Sequence, residues 1–248
     1  VQFTTESTIT WTPQYTISAR YLVVGSGGSG TRGLCSVYWG QGGGGGEVLT
    51  GTGYTFTGNS PVTVTVAAAS GRGGDCTAGG GKDGNSSVLG SLTARGGKAS
   101  LNTTTNNAGA VGGVAGNGNA GGVGTANGAS GCAAESGSCQ VGGGGGAGAA
   151  GAGKNGGAGV NSDIVTLGTN VMYGSGGAGW AGSGDVGTAQ SGGATPGSGC
   201  DAPTNRGGGG ADCSGYLTTG GSGGSGPWTQ AKMDTVLDLY RPAGRVYG

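Results

Sequence analysis

The chain has 248 residues, of which 70 are glycine, and its 11 basic and 11 acidic residues give a formal net charge of zero. Disordered chains are usually rich in charge and proline, whereas this chain has 9% charged residues and 6 prolines, so we expect it to be ordered. Zero net charge argues against a nucleic-acid-binding protein, which needs a basic face. We also expect no membrane insertion, because there is no apolar run of membrane-spanning length.

Ordering so much glycine has a large entropic cost. Fixing one residue's backbone costs about 1–2 kcal/mol, and glycine loses more freedom than any other residue. Aromatic residues make up only 6% of the chain, so a conventional apolar core is expected only in the N-terminal part. We expect hydrogen bonds between closely packed main chains to offset the cost elsewhere, since no Cβ keeps glycine backbones apart.

Residues 1–69 are predicted to form an N-terminal β unit with glycine-rich loops. Over the first 24 residues, strand-forming side chains share odd positions, which predicts two strands with one apolar face. These residues are Phe3, Thr5, Ile9, Trp11, Tyr15, Ile17, Ala19, Tyr21 and Val23. Further strands are predicted at 47–50, 54–57 and 62–66, and Asn59, Ser60 and Pro61 mark a turn. We expect these strands to pack as a small antiparallel sheet unit.

Residues 70–226 are predicted to form a glycine-rich bundle of extended helices. Glycine recurs at a spacing of three in short registers, as at Gly142, Gly145 and Gly148. Three residues per turn is the pitch of a polyproline-II-type helix, which must find its hydrogen bonds in neighbours. The predicted fold class is therefore mostly β and irregular, a small antiparallel β unit plus a bundle of polyproline-II-type (polyglycine II) helices. Within this region, residues 163–173 are predicted to be an extra strand or an ordered loop.

The two ends of the chain carry separate expectations. Because the chain begins at Val1 rather than Met, we expect it to be processed, excised or read without its true start, and we see no signal peptide there. Residues 227–248 are predicted to be a packing or attachment segment, a short helix or strand, with Thr229 as a possible N-cap and Pro242 as a stop. Its apolar residues at helical spacing are Met233, Val236, Leu237 and Tyr240.

Six cysteines are candidates for disulfides: Cys35, Cys76, Cys132, Cys139, Cys200 and Cys213. Six cysteines allow 15 pairings and the sequence leaves the choice open, although short loops favour the local pairs Cys132–Cys139 and Cys200–Cys213. A zinc site is not favoured, because the chain has no CxxC motif and no histidine. Disulfides would favour an extracellular location.

Three segments together carry a family resemblance: 3–30 (FTTESTITWTPQYTISARYLVVGSGGSG), 54–66 (YTFTGNSPVTVTV) and 84–97 (GNSSVLGSLTARGG). They resemble the glycine-rich domain of bacteriophage tail-fibre and related bacterial surface adhesin proteins. The final segment, LDLYRPAGRVYG at 237–248, resembles the Pro-x-Gly-x-(Ile/Val)-Tyr segment that often follows such domains in phage fibres. The six cysteines and AAAS at 67–70 depart from the family pattern.

The resemblance implies a non-catalytic scaffold, in a virion tail or outside the cell, that displays receptor-binding loops. Its expected partners are a host cell-surface receptor, either a protein loop or a glycan, or sister subunits in a homo-oligomer or a fibre, and no cofactor is expected. Tyrosine and tryptophan give large contact areas with few rotors to freeze. The receptor-binding candidates in the glycine-rich body are therefore Tyr38, Trp39, Tyr173, Trp180, Tyr216 and Trp228. Each could instead plug a gap in the bundle or cap it.

An enzymatic function is not expected, because the chain offers no histidine as a general base and its 11 acidic residues are scattered. Two non-catalytic alternatives stay open. One is a structural subunit of a virion or an extracellular filament, with an interface through the first strand or the last helix. The other is an ice-binding (antifreeze) protein, because some of these are bundles of glycine-rich extended helices. The irregular glycine registers and the N-terminal strands argue against ice binding.

Overall fold

A computed structural model describes residues 2–32, 39–71, 81–100, 115–117, 142–181, 185–195, 200–211 and 229–230. These residues form strands, turns and irregular segments and include no α-helix. The strands are β1 Gln2–Phe3, β2 Ser7–Trp11, β3 Ile17–Val24, β4 Thr31–Arg32, β5 Trp39–Gln41, β6 Val48–Phe56, β7 Val62–Val66, β8 Ser87–Leu89, β9 Leu92–Ala94, β10 Val160–Ser162, β11 Val171–Tyr173, β12 Trp180–Ala181, β13 Asp185–Val186 and β14 Thr229–Gln230. The predicted mostly β fold is confirmed.

The strands form small antiparallel sheets, also as predicted. The largest near the N-terminus has the order β2-β7-β8-β9, and it packs against the two-stranded sheet β3-β6. Because β7 pairs with β8, strands from both sides of residues 69 and 70 share one sheet. The other sheets are β13-β12-β5-β4, the hairpin β10-β11, and the pair β1-β14.

The β6 strand joins two segments that the sequence predicts as separate strands. Its pairing with β3 slips between Ala19, which faces Tyr54, and Tyr21, which faces Gly51. Gly53 lies in this bulge with a φ of 76°, a conformation that glycine adopts at little cost. The strand therefore continues through the bulge. After β6 the chain turns at Asn59, whose φ of 56° confirms the predicted turn.

Apolar side chains are buried on both faces of β3. Ile17, Ala19 and Val23 lie on the predicted face. They pack in one cluster with Phe56, Val64, Leu89 and Ala94. Leu22 and Val24 lie on the other face, in a second cluster. The sequence prediction of a single apolar face therefore accounts for one half of this packing.

The second cluster is completed from far along the chain. Ile164 and Tyr173, each 1% exposed, pack against Leu22 and Val24. They belong to the β10–β11 hairpin, which realises both expectations for residues 163–173, a strand and an ordered loop. The prediction that an apolar core forms only in the N-terminal part is therefore wrong, because residues of the β10–β11 hairpin contribute to it.

Residues 42–47, which connect β5 to β6, donate backbone hydrogen bonds in a pattern that repeats every third residue. The six N–H groups have donor–acceptor distances between 2.8 and 3.1 Å. In order along the chain, the acceptors are the carbonyl oxygens of Gly142, Gly210, Lys98, Gly145, Gly207 and Arg95. Successive N–H groups therefore reach three different segments, and the fourth N–H returns to the segment that the first one reached.

The same spacing occurs in residues 25–29. Gly25 and Gly28 donate to Glu47 and Gly44, at 2.9 and 2.8 Å. Ser26 and Ser29, which directly follow these two glycines, donate instead to the carbonyl oxygens of Asn85 and Lys82 in a different segment. Hydrogen bonds between separated glycine-rich segments therefore form as the composition led us to expect.

These segments pack too closely to admit side chains. Residues 42–46 are buried, and a Cβ placed on Gly42 would overlap the carbonyl oxygen of Gly177. A Cβ on Gly45 would likewise overlap the carbonyl oxygen of Gly174. Glycine is required here because the neighbouring main chains leave no room for a side chain.

The C-terminal segment is described at two residues only. Thr229 and Gln230 form β14, which pairs with β1 through Phe3 and Gln2. Thr229, the predicted N-cap, therefore lies in a strand. The apolar positions of the predicted helix lie outside the described residues, as does Pro242.

Candidate functional site

The six aromatic candidates fall into three groups. Tyr38, Tyr216 and Trp228 lie outside the described residues. Trp39 and Trp180 lie on neighbouring strands of one sheet, where Trp39 pairs with Ala181 and Trp180 pairs with Gly40. The structure therefore brings these two tryptophan positions to adjacent places in a sheet. Tyr173 forms the third group.

Tyr173 packs in the interior. Its side chain is 1% exposed, and the guanidinium carbon of Arg206 lies 5.7 Å from its ring centroid. Burial raises the pKa of the Tyr173 phenol above its usual value, so the hydroxyl stays protonated at neutral pH. A ring in this position offers no surface to a receptor, and it occupies the gap-filling role that was the alternative for each aromatic residue.

The two most exposed large apolar side chains of the described residues lie on connecting loops. Tyr15, between β2 and β3, is 75% exposed, and Leu167, between β10 and β11, is 72% exposed. The sequence reasoning missed both. It assigned Tyr15 to the apolar face of a strand, and it sought contacts only among aromatic residues of the glycine-rich body. The neighbouring turn residues Pro13 and Gly168 are signals that could have placed both side chains in loops.

The loop that carries Leu167 is anchored at its base. The Asp163 carboxylate accepts a hydrogen bond from the Arg20 guanidinium on β3 and a second from the Gly168 N–H at 3.3 Å. The bond from Arg20 is the main reason that the pKa of Asp163 lies below its usual value. Ile164 is buried beneath this loop. The Asp163 carboxylate therefore holds the loop that carries Leu167 against β3.

The turn that carries Tyr15 is tied to the turn between β6 and β7. The N–H of Asn59 donates to the carbonyl oxygen of Pro13 at 2.7 Å. The N–H of Gly58 donates to the Thr16 hydroxyl at 2.9 Å. Tyr15 lies between these two contacts, so its exposed ring extends from a turn that is held on both sides.

A groove of about 360 Å³ lies beside the glycine segments. Arg95 and Lys98 line it. Each cation is paired, Arg95 with Glu47 at 3.1 Å and Lys98 with Asp83 at 2.7 Å. An anion that entered the groove would therefore have to compete with Glu47 and Asp83 for these two cations.

Threonine side chains cover one face of the four-stranded sheet β2-β7-β8-β9. Thr8 pairs with Thr65, and their hydroxyl oxygens lie 3.1 Å apart. Thr10 pairs with Thr63 in the next row of the same face. The Thr8 row continues across the sheet through Val88 to Thr93. All these threonines are exposed except Thr65, which is half-buried, so the face is a regular array of small side chains.

The family model described as Glycine-rich domain matches residues 4–228. This chain belongs to that glycine-rich domain family. The match confirms the glycine-rich part of the resemblance and extends it well past residue 97. Comparison with curated proteins and with solved structures gives no significant match.

Three further features of this glycine-rich domain concern metal ions, membrane spans and disulfides. The described residues contain no group of three or more His, Cys, Asp or Glu side chains that could hold a metal ion. They also form no helix that is long and apolar enough to span a bilayer. Cys200 is disulfide-bonded. The other five cysteines lie outside the described residues, so the connectivity stays a prediction.

Proposed function

We propose that this glycine-rich domain is a non-catalytic display scaffold of a phage tail fibre or a surface adhesin, located in a virion tail or outside the cell. The observation that carries the proposal is the threefold hydrogen bonding of residues 42–47, which gives the domain an interior built from main chain. Rigid scaffolds carry recognition on their loops. The partner is a host cell-surface receptor, a protein loop or a glycan.

The scaffold is proposed to be a bundle of polyproline-II-type helices of glycine. In such a helix residues i and i+3 point the same way, so both should donate to the same neighbour. The recurring acceptors of residues 42–47 support this arrangement. So does the 174–179 segment, in which Gly176 and Gly179 donate to Gly157 and Lys154.

The receptor-binding surface is proposed to include the loop side chains of Tyr15 and Leu167. Both are exposed, and both loops are anchored by hydrogen bonds to neighbouring elements. An anchored loop loses little further entropy on binding, which favours affinity. Trp39 and Trp180 remain candidates, as do Tyr38, Tyr216 and Trp228.

Binding of the purified chain to host cells tests this function. We expect labelled wild-type protein to bind and to compete with phage adsorption. Tyr15→Ala or Leu167→Ala should weaken binding by about thirtyfold, because truncating an interface hot spot costs about 2 kcal/mol or more. Ser18→Ala, an exposed change on β3, is the matched control and should bind like the wild type. Unchanged binding in the loop variants and in Trp39→Ala and Trp180→Ala would reject this surface.

Ice binding is a second candidate, which the threonine face favours. Ice-binding surfaces are flat arrays of small, regularly spaced side chains. Thr8 and Thr10 are two residues apart on β2, about 7 Å, and neighbouring strands lie about 4.8 Å apart. If this candidate is right, wild-type protein shows a freezing gap, Thr63→Lys abolishes it, and Ser18→Lys on the other sheet retains it. No gap in the wild type excludes the candidate.

A further inference from the structure

The free edge of β2 is the starting point for an inference that does not depend on the proposed function. In the part of the chain that the structure describes, β2 pairs with β7 on one side and with no strand on the other. Residues 7–10 are exposed, and the strand STITW contains no charge, proline or glycine. Natural sheets usually protect such edges with charges, proline or bulges, because an open edge is a template for pairing with another strand.

An apolar row ends unfinished at this edge. Ile9 on β2 lies opposite Val64, which in turn lies opposite Leu89. Val64 and Leu89 are both 0% exposed, whereas Ile9 is 40% exposed. Ile9 is open to solvent because the sheet stops beside it, on the side where the next strand would lie. A further strand there would cover this side chain.

The sequence of β2 is close to symmetric about Ile9, with a threonine on each side. In an antiparallel pair of two β2 strands centred on this residue, Ile9 of each copy lies opposite Ile9 of the other. Thr8 of one copy then lies opposite Thr10 of the other. Such a pair would extend the apolar row on one face and the threonine rows on the other, with no charged residue in the contact.

We propose that β2 pairs antiparallel with β2 of a second copy of this chain, centred on Ile9. The contact is isologous, because each copy uses the same strand, and it closes as a twofold dimer. It joins two four-stranded sheets into one continuous sheet. Main-chain hydrogen bonds hold the two strands together, and the side chains of the two rows set the register.

The mass of the full chain in solution is the first test. We expect sedimentation to give twice the 23.0 kDa of one chain at high protein concentration. Ile9→Lys should shift the mass to one chain, because it sets two like charges opposite each other. Leu167→Lys, which places the same charge on a still more exposed apolar side chain away from β2, should keep the dimer. Circular dichroism confirms that both variants are folded.

Cross-linking gives a second test that does not depend on the folding of the lysine variant. In the proposed pair the two Ile9 Cα atoms are about 4.5–5.5 Å apart, a separation that a disulfide can bridge. Ile9→Cys should therefore form a covalent dimer on mild oxidation. Ser7→Cys is the control, because the two Ser7 residues would lie about 14 Å apart along the strands, too far for a disulfide. Any covalent dimer that Ser7→Cys does form would reveal disulfide exchange with the native cysteines.

Two results would overturn the proposal. One is a single-chain mass at every concentration, with no cross-link in Ile9→Cys. The other is a dimer that survives Ile9→Lys and forms no cross-link through Ile9→Cys, since such a dimer must use another surface.

Discussion

Gly144 illustrates how single glycines hold this domain together. Its N–H donates to the carbonyl oxygen of Gly177 at 2.8 Å, and its own carbonyl oxygen accepts from Gly157 at 2.8 Å. A Cβ added to it would overlap the carbonyl oxygen of Gly43. Any side chain at this position must push two main chains apart and break the bonds between them.

Gly144→Ala is therefore expected to lower the free energy of unfolding by about 3 kcal/mol or more, through overpacking and lost hydrogen bonds. The matched change is Gly168→Ala. Gly168 has a φ of 81° but nothing within 4 Å of its added Cβ, so only backbone strain, about 1–2 kcal/mol, is expected there. Urea denaturation measures both variants. Equal effects would mean that close packing of the main chain contributes little.

Asp163 makes the stability of the β10–β11 loop depend on pH. The bond from Arg20 lowers the pKa of Asp163 in the folded state, so at pH values between the folded and the unfolded pKa the unfolded state binds more protons. The stabilisation is complete above the ordinary carboxyl pKa of about 3.9 and is lost as pH falls through the lowered folded value.

We therefore expect the wild type to melt higher than Asp163→Asn at neutral pH, with a difference that shrinks below about pH 4. Melting curves across this range provide the measurement. Arg20→Gln should melt with a similarly reduced dependence on pH, because it removes the donor. A difference that stays constant down to the lowest pH would contradict this assignment.

At the scale of elements, β3 is the strand on which both apolar clusters depend. Leu22 and Val23 are neighbours in sequence, are each 0% exposed, and belong to opposite clusters. Leu22→Ala should cost about 2–5 kcal/mol and Val23→Ala about 2 kcal/mol. The two costs should add, because the side chains share no cluster.

Urea denaturation of both single variants and the double variant tests this. Ser18→Ala, an exposed change on the same strand, should stay within about 0.5 kcal/mol of the wild type. A small effect of Leu22→Ala would mean that the second face of β3 contributes little to stability, and it would favour the single apolar face that the sequence predicts.

Local sequence patterns predicted the strands β2, β3 and β7 and the turn at Asn59, because alternation and turn chemistry are properties of short segments. They did not predict that β3 is buried on its second face. The side chains that cover this face, Ile164 and Tyr173, lie about 140 to 150 residues further along the chain than Leu22. Nor did they predict β6 as one strand, because Gly51 and Gly53 suggest an interruption.

The candidate site was harder to predict than the strands. The type of residue does not reveal burial, so Tyr173 seemed as suitable for contact as Trp39. The spacing of glycine indicated hydrogen bonds to neighbouring segments, but not which neighbours. That residues 42–47 reach both 142–145 and 207–210 is decided by the path of the whole chain.

At the scale of the whole molecule, residues 42–47 link distant parts of the sequence. Their hydrogen-bond partners, as donors or acceptors, include residues near positions 25, 95, 142, 177 and 207. Few of these segments can separate from the centre without breaking bonds there. The glycine segments and the apolar sheets should therefore unfold together.

Hydrogen exchange of the native protein tests this cooperativity. The amides of Gly43 to Gly46 should exchange as slowly as those of Leu22 and Val23 in β3, because both groups should open only on global unfolding. The amide of Leu167, a highly exposed residue in a loop, is expected to exchange much faster. If the glycine amides exchanged as fast as the loop, the segments would open locally, and glycine would not contribute to the stable interior.

The main-chain contacts of residues 42–47 also bear on how this protein can diverge. A contact between two peptide groups does not change when a residue elsewhere is replaced, so the outer turns can vary in sequence and length without repacking the centre. We therefore expect nearly every replacement at Tyr15 or Leu167 to leave the fold intact, and almost none to do so at Gly42 or Gly45. The domain could thus acquire new binding preferences while its interior stays constant.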